Sequence, residues 1–267
     1  MRPREERLEP REAVAAALRR GDGPSIVAGL TAGYPDPDRF IETLDAIAGA
    51  ADVVEICVPF SDPMADGITI QRSSRAAIER GVSLTWIFDE LARRGPRAAA
   101  PLIFMSYLNP LLAFGYERLA ERAAETGVGG FIVPDLPLEE SGPLAAALDA
   151  AGLALVQLVT PATPAERLRR LCEASTGFVY AVTRTGITGA GQGLKDELAA
   201  YLDAVKSASS LPVCAGFGVR TPEHVELIGR HADGVIVASA LVELLERGGD
   251  PAAFLVSLRG GRSASAR

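Results

Sequence analysis

The sequence predicts an α/β fold, a (β/α)8 TIM barrel in which an eight-stranded parallel sheet closes on itself and carries an extra N-terminal helix. Three observations predict it. Short β-branched or apolar runs alternate about eight times with longer amphipathic segments rich in Ala, Leu, Glu and Arg. Most intervals between the apolar runs are one βα unit long. The runs themselves are almost continuously apolar, as expected of parallel strands covered on both faces. No linker rich in Pro, Gly and Ser divides the 267 residues, so 1–267 is read as a single barrel domain with flexible ends at 1–10 and 261–267. A doubly wound open sheet is the alternative with the same alternation.

Taken in order, the strands centre near Val27, Val54, Phe104, Ile132, Val156, Val179, Val213 and Ile236. Helical patterns follow them, for example over 38–48 and 138–150. The interval between the second and third strands is about twice the usual length and holds two helical patterns, 71–79 and 83–94. The longest uncharged stretch, Ala98 to Tyr116, raises the question of a membrane span, which Pro101, Asn109, Pro110 and Gly115 answer against. They divide it into a short strand over 102–106, a polar loop over 107–110 and the start of a helix. The final GGRSASAR reads as a disordered tail.

Composition narrows the function classes. A hydrophobic content of 48% supplies a sizeable core. A formal charge of -7 argues against nonspecific binding to nucleic acid or an anionic membrane, so an anionic ligand must be captured locally. Cys57, Cys172 and Cys214 lack ligand spacing and read as reduced, buried thiols. The N-terminus MRPREERLEPREAV carries charge where a signal peptide needs an apolar core, which points to a cytoplasmic address.

The chemistry concentrates in Val53-Val54-Glu55-Ile56-Cys57-Val58-Pro59-Phe60-Ser61-Asp62-Pro63-Met64-Ala65-Asp66-Gly67. By the period of two, Val54, Ile56 and Val58 share one strand face, and Val53, Glu55 and Cys57 the other. Glu55 therefore points into apolar surroundings, where desolvation raises a carboxyl pKa and suits it to acid and base work near neutrality. Asp66 follows on a turn-rich loop, where a substrate can meet both. A structurally paired Glu and an Asp-Gly turn is the plainer reading of the same residues.

In a barrel, function belongs to the loops after the strands. The loop after the sixth strand (183–193), that after the seventh (215–220) and the Val237-Ala238-Ser239 junction after the eighth combine glycines with helix starts, an arrangement that cradles phosphate. Thr221 and Pro222 read as the N-cap and first residue of the next helix. No Walker-type glycine-lysine pattern points to a nucleoside triphosphate, and no GxSxG elbow supports serine chemistry. The two histidines, His224 and His231, fall near one late helix, which disfavours imidazole catalysis or a His-rich metal site. A Mg2+ site from Glu55, Asp62 and Asp66 ranks below direct acid and base use.

VEICVPFSDPMADG, with LTAGYPDPD, VPDLPLEES, TRTGITGAG and AGFGV, closely resembles the tryptophan synthase alpha subunit family over about 26–245. The resemblance implies a barrel that cleaves indole-3-glycerol phosphate to indole and glyceraldehyde 3-phosphate by a cofactor-free retro-aldol reaction. It places the catalytic pair on Glu55 and Asp66. It places the phosphate on the backbone of Gly189, Phe217, Gly218, Ala238 and Ser239, lines the pocket with Tyr180, and makes Thr188 a lid residue that touches Asp66 on closure. It implies no metal and no cofactor in this chain. Pyridoxal phosphate belongs to a beta subunit, in an alpha-beta-beta-alpha complex met by Asp62-Pro63-Met64, Asn109-Pro110 and Asp135-Leu136-Pro137.

Four positions depart from the family pattern: Gly29 where an aromatic ring is usual, Cys57 and Ala238 where glycine is usual, and Ile68 where proline follows ADG. They suggest an altered indole pocket. The functional alternatives are a stand-alone lyase of specialised metabolism and a non-catalytic regulatory subunit that binds a phosphorylated ligand.

Overall fold

A computed structural model describes residues 8–19, 23–95, 100–183, 192–216 and 218–260, with only the backbone described for 192–195. Eight strands form a closed barrel in sequence order. They are β1 Ser25–Thr31, β2 Val53–Cys57, β3 Leu102–Met105, β4 Val128–Ile132, β5 Ala154–Val159, β6 Val179–Val182, β7 Val213–Gly216 and β8 Gly234–Val237. All pairs are parallel, and β8 closes on β1 with Gly234 opposite Ser25. An open doubly wound sheet is thereby excluded.

The helices are α1 Pro10–Ala17, α2 Phe40–Ala48, α3 Ile68–Glu79, α4 Leu84–Arg94, α5 Leu108–Phe114, α6 Tyr116–Thr126, α7 Gly142–Ala150, α8 Ala165–Ala174, α9 Gln192–Ala208, α10 Pro222–Gly229, α11 Ser239–Glu246 and α12 Pro251–Leu258. The doubled interval after β2 holds α3 and α4, as the sequence predicts. The polar loop expected over 107–110 is instead the start of α5, with Tyr107 as its N-cap. Pro110 is compatible because it falls in the first helical turn, where backbone N–H groups have no intrahelical partner to lose. No helix among the described residues is long and apolar enough to cross a membrane.

Alternation along the strands divides the apolar residues into two cores. Ile26, Ala28, Leu30, Val54, Ile56 and Phe104 face outward into the layer beneath the helices. There Phe104 meets Phe88 of α4 at 5.3 Å and Phe131 of β4 at 5.7 Å between ring centroids, pairs that contribute about 0.5–1.5 kcal/mol each beyond their burial. Val27, Val53, Ile103, Ile132, Val156, Phe178 and Ile236 fill the lumen.

The extra helix α1 plugs the end of the barrel where the strands begin. Its Val14 joins the lumen core, and its seat is Gly129, where a Cβ would stand 2.8 Å from Val14 Cγ2. The start of α1 is fixed by Glu9 and Glu12, each accepting from the other's end of the first turn. With that mouth sealed, the loops after the strands surround the opposite one.

Candidate active site

Strand β2 delivers Glu55 to the lumen, between Gly29 of β1 and Ile103 of β3. Its side chain is 1% exposed. Burial raises its pKa to about 7, a hydrogen bond from Cys57 opposes the rise, and the charge of Asp66 adds to it. Cys57 Sγ lies 3.6 Å from Glu55 Oε1. Glu55 Oε2 is buried and has no hydrogen-bond partner among the described residues.

Asp66 stands half-buried on the loop between β2 and α3. Tyr107 Oη donates to its Oδ2 at 2.9 Å and accepts from the Ala65 N–H at 2.9 Å. Burial pushes the Asp66 pKa up, and the tyrosine hydrogen bond holds it down. Tyr107 is itself fixed by stacking on Phe60, with centroids 5.1 Å apart. The sequence puts Tyr107 in a polar loop, and its one local sign of this role is its position immediately beyond the third strand.

Across the lumen, Tyr180 of β6 is buried, and carboxylate charge from Glu55 and Asp66 adds to burial in raising its pKa. A Cβ on Gly216 would stand 2.8 Å from its Oη, so the tyrosine lies against the β7 backbone. Gly218 follows with φ +81°, a conformation that favours glycine, and open space beside its Cα. Ala238 is the N-cap of α11 and Ser239 its first residue, which directs the first-turn amides of that helix toward the same mouth. Thr188, Gly189 and Phe217 lie outside the described residues, so the expected lid contact and part of the expected phosphate loop are not described.

The histidines are engaged elsewhere. His224 Nδ1 accepts from the Arg220 N–H at 3.2 Å, and His231 Nδ1 pairs with Asp203 at 2.9 Å. Among the described residues no three His, Cys, Asp or Glu side chains converge to hold a metal, Glu55, Asp62 and Asp66 included.

Two of the four departures are coupled in space. A Cβ on Gly29 would approach the Ala238 Cβ to 2.7 Å and Glu55 Oε1 to 3.4 Å. The Ala238 methyl therefore occupies the space where a side chain at Gly29 would begin. Cys57 adds its thiol to the same wall. Ile68 is the first residue of α3 and is 80% exposed, away from that wall.

A further polar cluster was not legible in the sequence. Glu243 of α11 accepts from both terminal guanidinium nitrogens of Arg220, at 2.7 and 3.0 Å, and from Thr69 Oγ1 of α3 at 3.0 Å. Glu246 accepts from Arg72 of α3 and from Tyr34 Oη at 2.8 Å. Thr31 and Ser73 share a buried hydrogen bond of 2.7 Å. The helix that follows Asp66 is thus fastened to β1 and to α11.

The sequence model of the family described as "Tryptophan synthase alpha chain" matches residues 15–257. The tryptophan synthase alpha chain of Nitratidesulfovibrio vulgaris (strain DP4) is 44% identical over 250 residues, which cover 93% of this chain and 96% of that one. That of Bacillus thuringiensis (strain Al Hakam) is 47% identical over 237 residues, covering 88% and 91%. The crystal structure of tryptophan synthase subunit alpha from Legionella pneumophila str. Paris superposes with a TM-score of 0.84 at 31% identity, over 95% of this chain and 98% of that one. A barrel whose lumen carries a buried carboxyl beside a second one at its open mouth, matched along nearly its whole length by these relatives, belongs to the tryptophan synthase alpha chain family.

Proposed function

We propose that this lyase of tryptophan synthesis cleaves indole-3-glycerol phosphate to indole and glyceraldehyde 3-phosphate, with Glu55 and Asp66 as its acid and base groups. The observation that carries the reading is Glu55, buried in the lumen with a pKa raised to about 7 and one oxygen without a partner among the described residues. At that pKa both protonation states are populated near neutrality, so one carboxyl can give a proton and take one back. Breaking the bond from indole C3 to the glycerol chain needs a proton delivered to C3, a proton removed from the side-chain hydroxyl, and support for charge at the indole nitrogen. Glu55 delivers the first proton and accepts the second, which regenerates it. Asp66, held by Tyr107, accepts from the indole N–H.

The phosphate sits at backbone amides of Gly218, Ala238 and Ser239, with Gly189 from the loop after β6 and Phe217 from the loop after β7. The α11 N-terminus favours negative charge there in a chain whose net charge is -7. Tyr180 lines the pocket and Thr188 serves as the lid residue. Sealing the lumen at α1 and covering its mouth excludes water from the indole. The chain needs no cofactor of its own. Its partner is a beta subunit that carries pyridoxal phosphate and consumes the indole, in an alpha-beta-beta-alpha complex.

The Gly29, Cys57 and Ala238 wall favours one second reading, a stand-alone lyase with a reshaped indole pocket. Indole release by the chain alone, and then with added beta subunit, separates the two: steep activation identifies a subunit, and fast release without partner a stand-alone enzyme. In either case Glu55→Gln and Asp66→Asn are expected to lower kcat on the order of 10^2-fold with the fold intact by circular dichroism. Near-normal turnover in both variants refutes the assignment.

A further inference from the structure

We propose that Cys57 is a positioning residue that divides the two oxygens of the Glu55 carboxyl, its thiol engaging Oε1 and leaving Oε2 to exchange protons with the substrate. The inference rests on the reading of Glu55 as the acid and base group. Its basis is the local geometry of β2. Glu55 and Cys57, two residues apart, reach the same lumen face, and Cys57 Sγ is 3.6 Å from Oε1. On the other side Oε1 faces β1, where even the Cβ of an alanine at Gly29 would stand 3.4 Å away. Oε1 is thus enclosed by a thiol and a backbone, while Oε2 is buried without a partner among the described residues. A wholly buried carboxyl oxygen with no partner is costly in the resting protein. It has a purpose where a substrate group comes within hydrogen-bond reach of it.

The thiol acts as donor because burial and the nearby carboxylates of Glu55 and Asp66 push its own pKa well above the ordinary value. Donation to Oε1 favours the carboxylate and offsets part of the desolvation. Among the described residues the other titratable groups around the carboxyl are Asp66 from the β2 loop, itself held by Tyr107 beyond β3, and Tyr180 from β6. From β1 and the start of α11 come Gly29 and Ala238, which carry no charge. Among the described residues Cys57 is therefore the side chain that hydrogen-bonds Glu55, and it occupies one oxygen only.

The test is an infrared titration of the Glu55 carboxyl in the full chain, with Glu55→Gln as the spectral blank, alongside pH profiles of kcat/KM. Cys57→Ala is expected to raise the Glu55 pKa by roughly half a unit to one unit, and to move the corresponding limb of the kcat/KM profile by the same amount. Cys57→Ser, which keeps a donor, is expected to titrate below Cys57→Ala. A role limited to packing would lower Tm without moving the titration. Superimposable wild-type and Cys57→Ala carboxyl titrations overturn the proposal, and the spectrum reads them whether or not the variant is active. Full turnover by Glu55→Gln would instead overturn the catalytic reading, so the two failures are distinguishable.

Discussion

At the residue scale, the central fact is the proton affinity of Glu55. Its pKa is about 7 in the folded chain against an ordinary 4.5, so between those pH values the native state holds a proton that the unfolded chain has released. The associated stabilisation is complete below about 4.5 and is lost as pH rises through 7. Glu55→Gln cannot ionise, so it is expected to gain stability over wild type as pH rises from 5 to 8, by up to the order of 3 kcal/mol. Urea unfolding at the two pH values checks this, and an equal difference at both would show that Glu55 is not desolvated in the native state. That Glu55 and Cys57 face the lumen was legible, because alternation along a strand is a local property. The Tyr107 bond to Asp66 and the contact between Gly29 and Ala238 were not, because each joins residues from different βα units and leaves no local pattern.

At the element scale, α3 is the lever that places Asp66. It begins two residues after the aspartate and is held by Thr69 and Arg72 on α11, by Ser73 on β1, and by Gln71 Nε2 donating to the Asp66 carbonyl at 2.8 Å. The Arg220 guanidinium, through its hydrogen bond, holds the Glu243 pKa down at about 2. The pair therefore stabilises the fold above about pH 4.5 and is lost as pH falls through 2. Glu243→Gln is expected to lower kcat about 3- to 10-fold with KM little changed, and to cost about 1 kcal/mol at neutral pH. Steady-state kinetics and unfolding measure both, and an unchanged kcat would show that the remaining ties, Arg72 to Glu246, Gln71 to the Asp66 carbonyl and Thr31 to Ser73, suffice to hold α3. The strands and most helices were predictable from periodicity alone. The start of α5 was misread because proline is a helix breaker in an interior and a tolerated residue in a first turn, and composition does not distinguish the two. The ion pairs of α11 were invisible for a different reason: charged residues on a helix read as a solvated face until the neighbouring helix is in place.

At the scale of the whole molecule, the mouth of the barrel carries apolar side chains exposed to an unusual degree, Met64 and Ile68 at 80% and Leu112 at 59%. They come from the β2 loop, α3 and α5, the face on which a beta subunit is proposed to dock. Leu112→Asp is expected to weaken activation by a beta subunit at least tenfold while leaving indole release by the isolated chain unchanged. Titrating the partner into the variant checks it, and activation at the wild-type concentration would place the partner elsewhere.

The seal made by α1 on Gly129 has a consequence for traffic. A tube open at both ends would let its contents leave in either direction, whereas among the described residues this one is floored by Val27, Val53, Ile103 and Phe178 beneath Glu55. Substrate and both products are then expected to share one doorway, so that a blockage there would detain them all.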